Sequence, residues 1–465
     1  MAIHFGTSGW RAIIADEFTF VNVRKVARAI VRYLYQHKLE KNGIIIGYDT
    51  RFLSREFAQE CAQEFSQHAV KALLTNRDCP TPVIAYQILK QKTAGAVNIT
   101  ASHNPPEYSG IKFSPAYGGP APLEVTQEIE KNLQDLVLPE PAKKTAVQVF
   151  DPRPAYLKKM GQLVDLQAIR RARLKLGVDV LYGTGRGYLD QLLKQAGCRI
   201  SLLHDRVEPL FGGLPPEPAE AQLKQLRAVV KKERLHLGLA LDGDADRFGI
   251  VDRDGSYIGA NQVISLLTEH LIRTRPRQKK VARTLATTHM IDALAQRAGL
   301  KVVETPVGFK FIGQELARGG CLIGGEESGG LSIAGHVPEK DGILACLLIA
   351  ELVAIRKKSL GAILKELYKE VGPYFNQRED FHLSAREKER FLQRIKLLTQ
   401  GKPALLGRTV AQFNGLDGYK FIFTDGSWLM FRSSGTEPIV RCYAEASSKQ
   451  RLKNLLEAGK KLVNS

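Results

Sequence analysis

Short apolar runs alternate along this chain with stretches of helical periodicity, and few architectures accommodate that alternation. Ile44–Ile46 ends in the turn-forming Gly47–Arg51, and helical periodicity resumes from Glu56. Lys175–Leu181 likewise has the pattern of a strand, and it enters the glycine-rich Gly183–Gly187. Strands separated by helices of about ten to fifteen residues are typical of α/β units. The predicted fold class is therefore α/β.

The chain has 465 residues, too many for a single hydrophobic core, so we expect roughly three to four domains. Proline-rich turns around Leu138–Pro141 and Asp151–Pro154 predict a linker, and the hairpin signal Asp252–Gly255 predicts a second boundary. From Gly372 onward the pattern changes to strand-rich α+β with a final basic helix. The predicted units are α/β over 1–142, 153–255 and 256–369, and α+β over 373–465.

Hydrophobic residues make up 44% of the chain and charged residues 25%, as in an ordinary globular protein. The most apolar run, Ile343–Ala350, meets Glu351 too soon to span a bilayer, and it predicts the buried part of a helix. The N-terminus lacks the pattern of a secretion signal. Six scattered cysteines without a CxxC pair predict free thiols. We therefore expect a cytoplasmic protein without a membrane partner.

The formal net charge is +19, which raises the possibility of a nucleic-acid partner. The basic residues are spread over many amphipathic stretches, however, and no arginine-rich or zinc-finger segment occurs. A charged, solvated surface therefore explains most of them, and we expect no nucleic-acid partner. A third interpretation is that the positive field concentrates an anionic small substrate in a cleft.

Two polar motifs directly follow apolar runs. Thr100–Pro105, which contains Ser102, follows Ala94–Ile99, and Asp242–Arg247 follows Leu237–Leu241. A hydroxyl nucleophile and an acidic loop together suit metal-assisted phosphoryl transfer. A serine needs a base or prior phosphorylation, and the neighbouring His103 and the later Lys112 are candidates for proton handling. The alternative for the Ser102 segment is a plain turn, and the Gly-x-Ser-x-Gly elbow of the α/β-hydrolases is absent.

The acidic loop places Asp242, Asp244 and Asp246 on alternate positions, where an extended or tightly turned backbone can aim all three at one ion. Hard oxygen ligands of this kind favour Mg²⁺. A calcium-binding EF-hand is excluded because Arg247 and Arg253 occupy the positions that require glycine and glutamate. A solvated acidic turn is the remaining alternative.

Three glycine-rich segments complete the candidate loops. Gly324–Gly330 carries carboxylates and a hydroxyl suited to sugar hydroxyls, and Arg432–Pro438 resembles an anion-binding nest. Gly183–Gly187 has GxGxG spacing without a well-supported acidic residue about 20 residues on, so a dinucleotide site is disfavoured. We interpret it as a tight strand-to-helix turn.

With these loops in this order, the chain resembles the α-D-phosphohexomutase family of phosphoglucomutases and phosphomannomutases. The motifs that carry the resemblance are Phe5–Arg11, Thr100–Pro105, Asp242–Arg247, Glu326–Ser328 and Arg432–Pro438. The resemblance implies a four-domain architecture, with three α/β mixed-sheet domains and a C-terminal α+β domain like the TATA-binding protein. It also implies an active cleft at the meeting point, with one loop from each domain.

The resemblance further implies a role for each matched position. Ser102 would be the phosphoserine, and its phosphate would join Asp242, Asp244 and Asp246 in binding Mg²⁺. The sugar hydroxyls would be bound by Glu326 and Ser328. The phosphate that is not transferred would be bound by Arg432, Ser433, Ser434, Gly435 and Thr436. Cations near the transferred group or the sugar would be Arg11, Lys112, Arg247 and Lys310. The acid/base would be Lys112 or His103, with Lys112 preferred as the base.

The implied reaction interconverts hexose 1-phosphate and hexose 6-phosphate through glucose 1,6-bisphosphate or its equivalent, in a monomer or homodimer. Glu327 in the sugar loop resembles the phosphoglucomutase form, which favours glucose. Gly330 stands where many relatives carry histidine, and Ala12 stands where glycine is usual. A dual-specificity enzyme and a phosphoglucosamine mutase remain alternatives, and a magnesium phosphatase is a possibility from another class.

Overall fold

A computed structural model describes residues 3–6, 9–134, 136, 138, 144–399, 404–405, 408–433 and 438–464. Their strands form four sheets in chain order. The first three sheets mix parallel and antiparallel pairs, and the fourth is antiparallel throughout. The predicted α/β class and the predicted α+β C-terminal unit are therefore confirmed, and the sheet of that unit is antiparallel.

The first unit has a six-stranded sheet in the order β1-β5-β4-β2-β3-β6. Its strands are β1 (Trp10–Ile13), β2 (Ile44–Tyr48), β3 (Ala72–Thr75), β4 (Gly95–Ile99), β5 (Tyr108–Pro115) and β6 (Val147–Phe150). Its helices are α1 (Phe20–Gln36), α2 (Ser54–Gln67), α3 (Thr81–Gln91) and α4 (Leu123–Asn132). Strand β6 pairs with β3, so this sheet continues past residue 142, where the sequence places the end of the unit.

The second unit has a five-stranded sheet in the order β11-β10-β9-β7-β8. Its strands are β7 (Lys175–Asp179), β8 (Arg199–Leu203), β9 (Leu237–Leu241), β10 (Phe248–Asp252) and β11 (Tyr257–Ile258). Its helices are α5 (Arg153–Leu163), α6 (Leu166–Ala172), α7 (Leu189–Gln195) and α8 (Lys224–Lys232). The glycine-rich Gly183–Gly187 is the predicted tight turn between β7 and α7.

The third unit has the four-stranded sheet β13-β12-β14-β15. Its strands are β12 (Lys280–Thr284), β13 (Lys301–Thr305), β14 (Cys321–Glu326) and β15 (Gly330–Ile333). Its helices are α9 (Ala260–Thr274), α10 (Met290–Arg297), α11 (Phe309–Ala317), α12 (Gly342–Arg356) and α13 (Leu360–Val371). Helix α12 contains the apolar run Ile343–Ala350, every residue of which is buried, as predicted.

The fourth unit has a six-stranded sheet in the order β16-β21-β20-β19-β18-β17. Its strands are β16 (Phe375–His382), β17 (Ala404–Leu405), β18 (Arg408–Asn414), β19 (Tyr419–Phe423), β20 (Trp428–Ser433) and β21 (Ile439–Ala446). Its helices are α14 (Ala385–Leu397) and the predicted basic helix α15 (Lys449–Asn464).

The hydrophobic cores follow the sheets. The second and third units share one large core around α12, to which the first unit also contributes side chains such as Ile84 and Ile88 of α3. The first and fourth units each have a further core of their own. All six cysteines are buried and unpaired, as expected. Within the described ranges, no helix combines the length and hydrophobicity needed to cross a membrane.

Candidate active site

Ser102 lies in a tight, buried turn after β4. Its backbone adopts a left-handed conformation with φ of 54°, which is uncommon for a residue with a side chain. The Ser102 N–H donates to Thr100 Oγ1 at 2.9 Å, which fixes the turn. The hydroxyl Oγ lies 3.2 Å from Asp242 Oδ2 and 3.3 Å from His103 Nδ1. The turn therefore delivers the hydroxyl directly to the acidic loop of the second unit.

Arg51, which follows β2, stabilises the Ser102 turn by hydrogen bonds to its backbone. Its guanidinium donates to the backbone carbonyl oxygens of Ser102 at 2.8 Å, Asn104 and Pro105 at 2.6 Å, and Tyr108 at 2.9 Å. The Nε–H donates to buried Asp49 at 3.0 Å, which compensates the charge. Arginine can make all five bonds because its planar fork carries five N–H donors. In the sequence, Gly47–Arg51 has only the pattern of a turn, which gives no sign of this contact.

The acidic loop is the turn between β9 and β10. Asp242, Asp244 and Asp246 are all fully buried, and one carboxylate oxygen of each lies within 4.8 Å of the others. The loop bends at Ala245, whose φ is 56° and whose N–H donates to the Asp242 carbonyl oxygen. Three buried carboxylates so close together need compensating positive charge.

The partners of the individual carboxylate oxygens show where that charge is missing. Asp244 Oδ2 accepts from Thr81 Oγ1 at 2.6 Å and from Lys112 Nζ at 3.2 Å. Asp246 Oδ2 lies 2.8 Å from Lys340 Nζ. The Oδ1 atoms of Asp244 and Asp246 are buried, and no group in the described ranges donates a hydrogen bond to them. Two orphaned oxygens beside the Ser102 hydroxyl fit a hard divalent cation such as Mg²⁺.

The pKa values of the acidic-loop carboxylates depend on their burial and on the charges around them. Burial and the neighbouring Asp246 and Asp244 raise the pKa of Asp242 well above its ordinary value. Burial also raises the pKa of Asp244, but Lys112 and the Thr81 hydrogen bond outweigh it, and the net direction is downward. A bound divalent cation would favour the ionised form of all three carboxylates.

The two proton-handling candidates differ in charge. Burial opposes a charged Lys112, but Asp244 and Asp246 outweigh it and raise the pKa of Lys112 above its ordinary value. Burial, together with the positive charges of Arg247 and Arg11, lowers the pKa of His103 to about 2. At neutral pH Lys112 is therefore protonated and His103 is neutral.

Arg11 and Arg247 add positive charge near the acidic loop. Arg11 lies in β1 and donates from Nη1 to Asn104 Oδ1 at 2.6 Å. Arg247 follows the acidic triplet, and its Nε lies 4.0 Å from Asp246 Oδ1. The structure thus brings together eight of the predicted site residues: Arg11, Ser102, His103, Lys112, Asp242, Asp244, Asp246 and Arg247.

The predicted sugar loop is a tight hairpin rather than a flexible glycine loop, because Gly324–Glu326 belongs to β14 and Gly330 already belongs to β15. Ser328 Oγ donates to Glu326 Oε1 at 2.7 Å, so these two side chains act together. Burial opposes the charged form of Arg247, but Asp246 and Asp242, with a smaller contribution from Glu326, outweigh it and raise the pKa of Arg247.

Glu327 has different neighbours from the two residues that flank it. Its Oε2 accepts from Thr284 Oγ1 at 3.2 Å. It also lines a crevice of about 250 Å³ between the third and fourth units, together with Arg378 and Tyr443. The residue on which the sequence argument for glucose depends therefore contacts the boundary of the fourth unit.

Gly330, which departs from the histidine of many relatives, has a packing role here. A Cβ at this position would lie 2.3 Å from Lys340 Cδ. The Lys340 side chain therefore passes directly over Gly330 before its Nζ reaches Asp246. The space beside the sugar hairpin is filled by Lys340 instead of a side chain at position 330.

The predicted phosphate loop is described only in part. Arg432 lies in β20 and donates from Nε to Asp417 Oδ2 at 2.9 Å. The same oxygen accepts from the Val307 N–H at 2.9 Å, which ties the fourth unit to the third. Ser433 ends β20, whereas the predicted residues Ser434, Gly435 and Thr436 lie outside the described residues.

Lys310 lies at the start of α11, apart from the acidic loop. Its Nζ is 5.1 Å from the ring centroid of Phe311. In the described part of the chain, no hydrogen bond or ion pair joins Lys310 or Arg432 to the Ser102 turn or the acidic loop. The contacts of these two predicted site residues therefore lie outside the group around Ser102 and the acidic loop.

Comparison with known proteins assigns all four units. Four sequence families match in chain order: phosphoglucomutase/phosphomannomutase alpha/beta/alpha domain I over residues 2–138, domain II over 154–255, domain III over 259–371, and the C-terminal domain over 387–460. The chain belongs to the phosphoglucomutase/phosphomannomutase family.

Members of this family with similar sequences carry several substrate names. A phosphoglucomutase/phosphomannomutase from Thermococcus kodakarensis is 30% identical, over 99% of this chain and 98% of its own. A probable phosphoglucosamine mutase from Pyrococcus abyssi is also 30% identical, over 100% and 98%. The crystal structure of a candidate phosphomannomutase from Thermus thermophilus has a TM-score of 0.86 and 34% identity, over 100% of both chains. The protein is therefore a phosphohexomutase, an isomerase, and the family resemblance and four-domain architecture are confirmed.

Sequence reasoning missed several side chains of this phosphohexomutase site. Arg51 is a single residue in an ordinary turn and Thr81 is a single residue at the start of α3, and no local pattern distinguishes either of them. Glu339 and Lys340 lie between β15 and α12, outside the five motifs that carry the family resemblance. Lys340 Nζ pairs with Asp246 of the acidic loop at 2.8 Å, and burial, opposed by Lys112 and Lys340, raises the pKa of Glu339 to about 7.

Proposed function

We propose that this phosphohexomutase transfers a phosphoryl group reversibly between O1 and O6 of a hexose, with glucose preferred, through phosphorylated Ser102. The observation that carries the proposal is the Ser102 hydroxyl, 3.2 Å from Asp242 in a buried acidic triad that has two orphaned oxygens. A nucleophile, a cation site and surrounding lysine and arginine side chains are the parts that phosphoryl transfer requires. A plain turn at Ser102 would not explain its burial against three carboxylates.

Asp242, Asp244 and Asp246 would hold Mg²⁺ together with a phosphate oxygen on Ser102. When bound, the metal would neutralise charge on the transferred group. Lys112 lies beside the same carboxylates and supplies further positive charge. Because phosphoryl transfer depends mainly on positioning and on neutralising charge, this arrangement suits the reaction.

In the forward direction, the P–O bond to Ser102 Oγ breaks as the hexose 1-phosphate O6 forms a bond to the same phosphorus. Ser102 Oγ would take up a proton from Lys112, the O6 proton would leave to neutral His103, and the product is the hexose 1,6-bisphosphate. The bisphosphate reverses its orientation in the cleft, and its 1-phosphoryl group returns to Ser102 Oγ, leaving hexose 6-phosphate. Lys112 starts this cycle protonated, so donation would be its first step, and His103 lies close enough to Oγ to assist.

Recognition must work for both orientations of the bisphosphate. Glu326 and Ser328 would bind hydroxyls near the middle of the sugar, where the two orientations resemble each other. The fourth unit would hold the phosphate that is not transferred, through the segment Arg432, Ser433, Ser434, Gly435 and Thr436. Arg11, Arg247 and Lys310 would add cationic contacts along the cleft walls.

The resemblance of Glu327 to the phosphoglucomutase form, and not a contact of its side chain, is the basis for proposing that glucose is preferred. The alternatives are a dual-specificity phosphomannomutase/phosphoglucomutase and, less favoured, a phosphoglucosamine mutase. The relatives' names include all three activities, and Glu327 contacts Thr284 rather than the cleft side of the hairpin. A direct substrate comparison is therefore the decisive test.

The test is a Mg²⁺-dependent mutase assay with trace hexose 1,6-bisphosphate, on glucose 1-phosphate, mannose 1-phosphate and glucosamine 1-phosphate. Faster turnover of glucose 1-phosphate that is lost in Ser102→Ala would support the proposal. Equal rates with glucose and mannose would replace it by dual specificity. Stoichiometric release of inorganic phosphate would instead indicate a phosphatase, and no turnover of any sugar would overturn the functional assignment.

A further inference from the structure

Thr81 of the first unit makes two contacts with the acidic loop of the second unit. It is the first residue of α3 and is buried. Its backbone N–H donates to the Asp244 carbonyl oxygen at 2.9 Å, and its hydroxyl donates to Asp244 Oδ2 at 2.6 Å. Both the backbone and the side chain of Asp244 are therefore bound by one residue of another domain.

The direction of the Thr81 hydroxyl bond is set by Asn98 in β4. Asn98 Nδ2 donates to Thr81 Oγ1 at 2.8 Å. An amide nitrogen only donates, so Thr81 Oγ1 accepts here and its own proton is free to point at Asp244. Because Asn98 precedes the Ser102 turn by a few residues, the strand that carries the nucleophile also orients the threonine.

This arrangement fixes how the Asp244 carboxylate is turned. Thr81 and Lys112 both bind Oδ2, and Lys112 stands opposite Asn98 in the β4–β5 register. Oδ1 is left buried, and no group of the described residues donates a hydrogen bond to it. If the Asp244 carboxylate rotated, Oδ1 would no longer be the oxygen that is left available for a metal.

We propose that Thr81 is a positioning residue for the divalent cation: by binding Asp244 Oδ2, it presents Oδ1 to the metal. The proposal rests on the acidic triad being the metal site of the proposed function. Hydrogen-bonding partners of metal ligands change metal affinity by about 10- to 100-fold when removed. Thr81 would thereby couple metal affinity to the contact between the first two units.

The experiment measures Mn²⁺ binding to the full chain by electron paramagnetic resonance, without substrate, with Mg²⁺ as competitor. Thr81→Val keeps the shape of threonine and removes the hydroxyl, so we expect metal affinity to fall about 10- to 100-fold. Thr81→Ser restores the hydroxyl and should bind nearly as tightly as the natural protein. Thr126→Val is the matched control, because Thr126 is a buried threonine of the same unit whose hydroxyl donates to the Leu123 carbonyl oxygen.

A second measurement separates positioning from general damage. In the mutase assay, Thr81→Val should need more Mg²⁺ for half-maximal rate and should recover kcat at saturating Mg²⁺. A loss of kcat at every Mg²⁺ concentration, with unchanged Mn²⁺ affinity, would overturn the positioning role and leave the proposed function intact. Failure of the natural protein to bind Mn²⁺, or binding that survives Asp242→Asn, would overturn both.

Discussion

Replacing Arg51 should weaken the protein and its catalysis together, because this residue supports the Ser102 turn. Arg51→Lys keeps the positive charge beside Asp49 but loses the planar fork. The arginine makes five side-chain hydrogen bonds, four of them to backbone carbonyl oxygens of the segment that contains Ser102. A lysine has three N–H donors on one nitrogen, so at least two of these bonds are lost.

The expected magnitudes follow from these contacts. At about 1 kcal/mol net per hydrogen bond, Arg51→Lys should lower the free energy of unfolding by about 2 kcal/mol or more. Arg51→Met also leaves the Asp49 carboxylate, which is buried, without its cation, and that should cost about 3–5 kcal/mol. Displacing the Ser102 turn by about 1 Å would reduce kcat roughly 100-fold. KM should change less, because Arg51 donates to backbone oxygens and not to the sugar.

The assays are urea unfolding and steady-state mutase kinetics on the same preparations. Arg24→Lys is the control, because Arg24 pairs with Glu60 at 2.8 Å on a more exposed surface. Such a pair contributes about 0–1 kcal/mol, so this variant should match the natural protein in kcat. If Arg51→Lys retained the natural kcat and unfolding midpoint, the turn would not depend on the guanidinium, and the reasoning would be wrong.

Three further predictions concern other parts of the fold. Burial lowers the pKa of Lys420 to about 8, so between about pH 8 and the ordinary lysine pKa the unfolded chain binds more protons. Urea unfolding should therefore show stability rising with pH across that window in the natural protein and not in Lys420→Met. A Cβ at Gly183 would lie 2.7 Å from the Gly243 carbonyl oxygen, so Gly183→Ala should cost about 1–3 kcal/mol and weaken Mn²⁺ binding. The control Gly161→Ala, in a helix with its nearest neighbouring atom at 3.7 Å, should be neutral or stabilising. Because Glu327 contacts Thr284, Glu327→Met should change the glucose-to-mannose ratio of kcat/KM by less than about tenfold, which is the lower limit for a change in a pocket that contacts substrate. A larger change would indicate that Glu327 contacts the sugar.

The sequence predicts those parts of the site that depend on local order along the chain. An apolar run followed by polar residues is enough to locate β9 and the acidic loop, because a buried strand ends where its apolar residues end. The same reasoning finds β4 and the Ser102 turn. The alternation of such runs with helical periods predicts the α/β class. The order of the loops along the chain predicts the family, which is confirmed.

Contacts between units could not be predicted in this way. The Thr81–Asp244 hydrogen bond joins residues 163 positions apart, and neither residue's neighbours in sequence reveal it. Lys420 is similar: this lysine of β19 is fully buried against the third unit, where Nζ binds the Leu285 carbonyl oxygen at 2.7 Å and His289 at 2.8 Å. Lysine is rarely buried without partners, so the sequence alone predicts it to be exposed. Its position depends on which acceptors the neighbouring unit presents.

The charges of the assembled site explain why several units are needed to build it. The three carboxylates of the acidic loop are surrounded by four cations: Arg11, Lys112, Arg247 and Lys340. Arg11 and Lys112 come from the first unit, Arg247 from the second and Lys340 from the third. Glu217 pairs with Arg247 at 3.6 Å, so four positive charges face four negative ones, and a bound divalent cation would leave an excess of two positive charges. That excess suits a sugar bisphosphate, whose charge must be held at both ends while it turns. No single unit supplies it, so a shift between the units should weaken bisphosphate binding before it unfolds any of them.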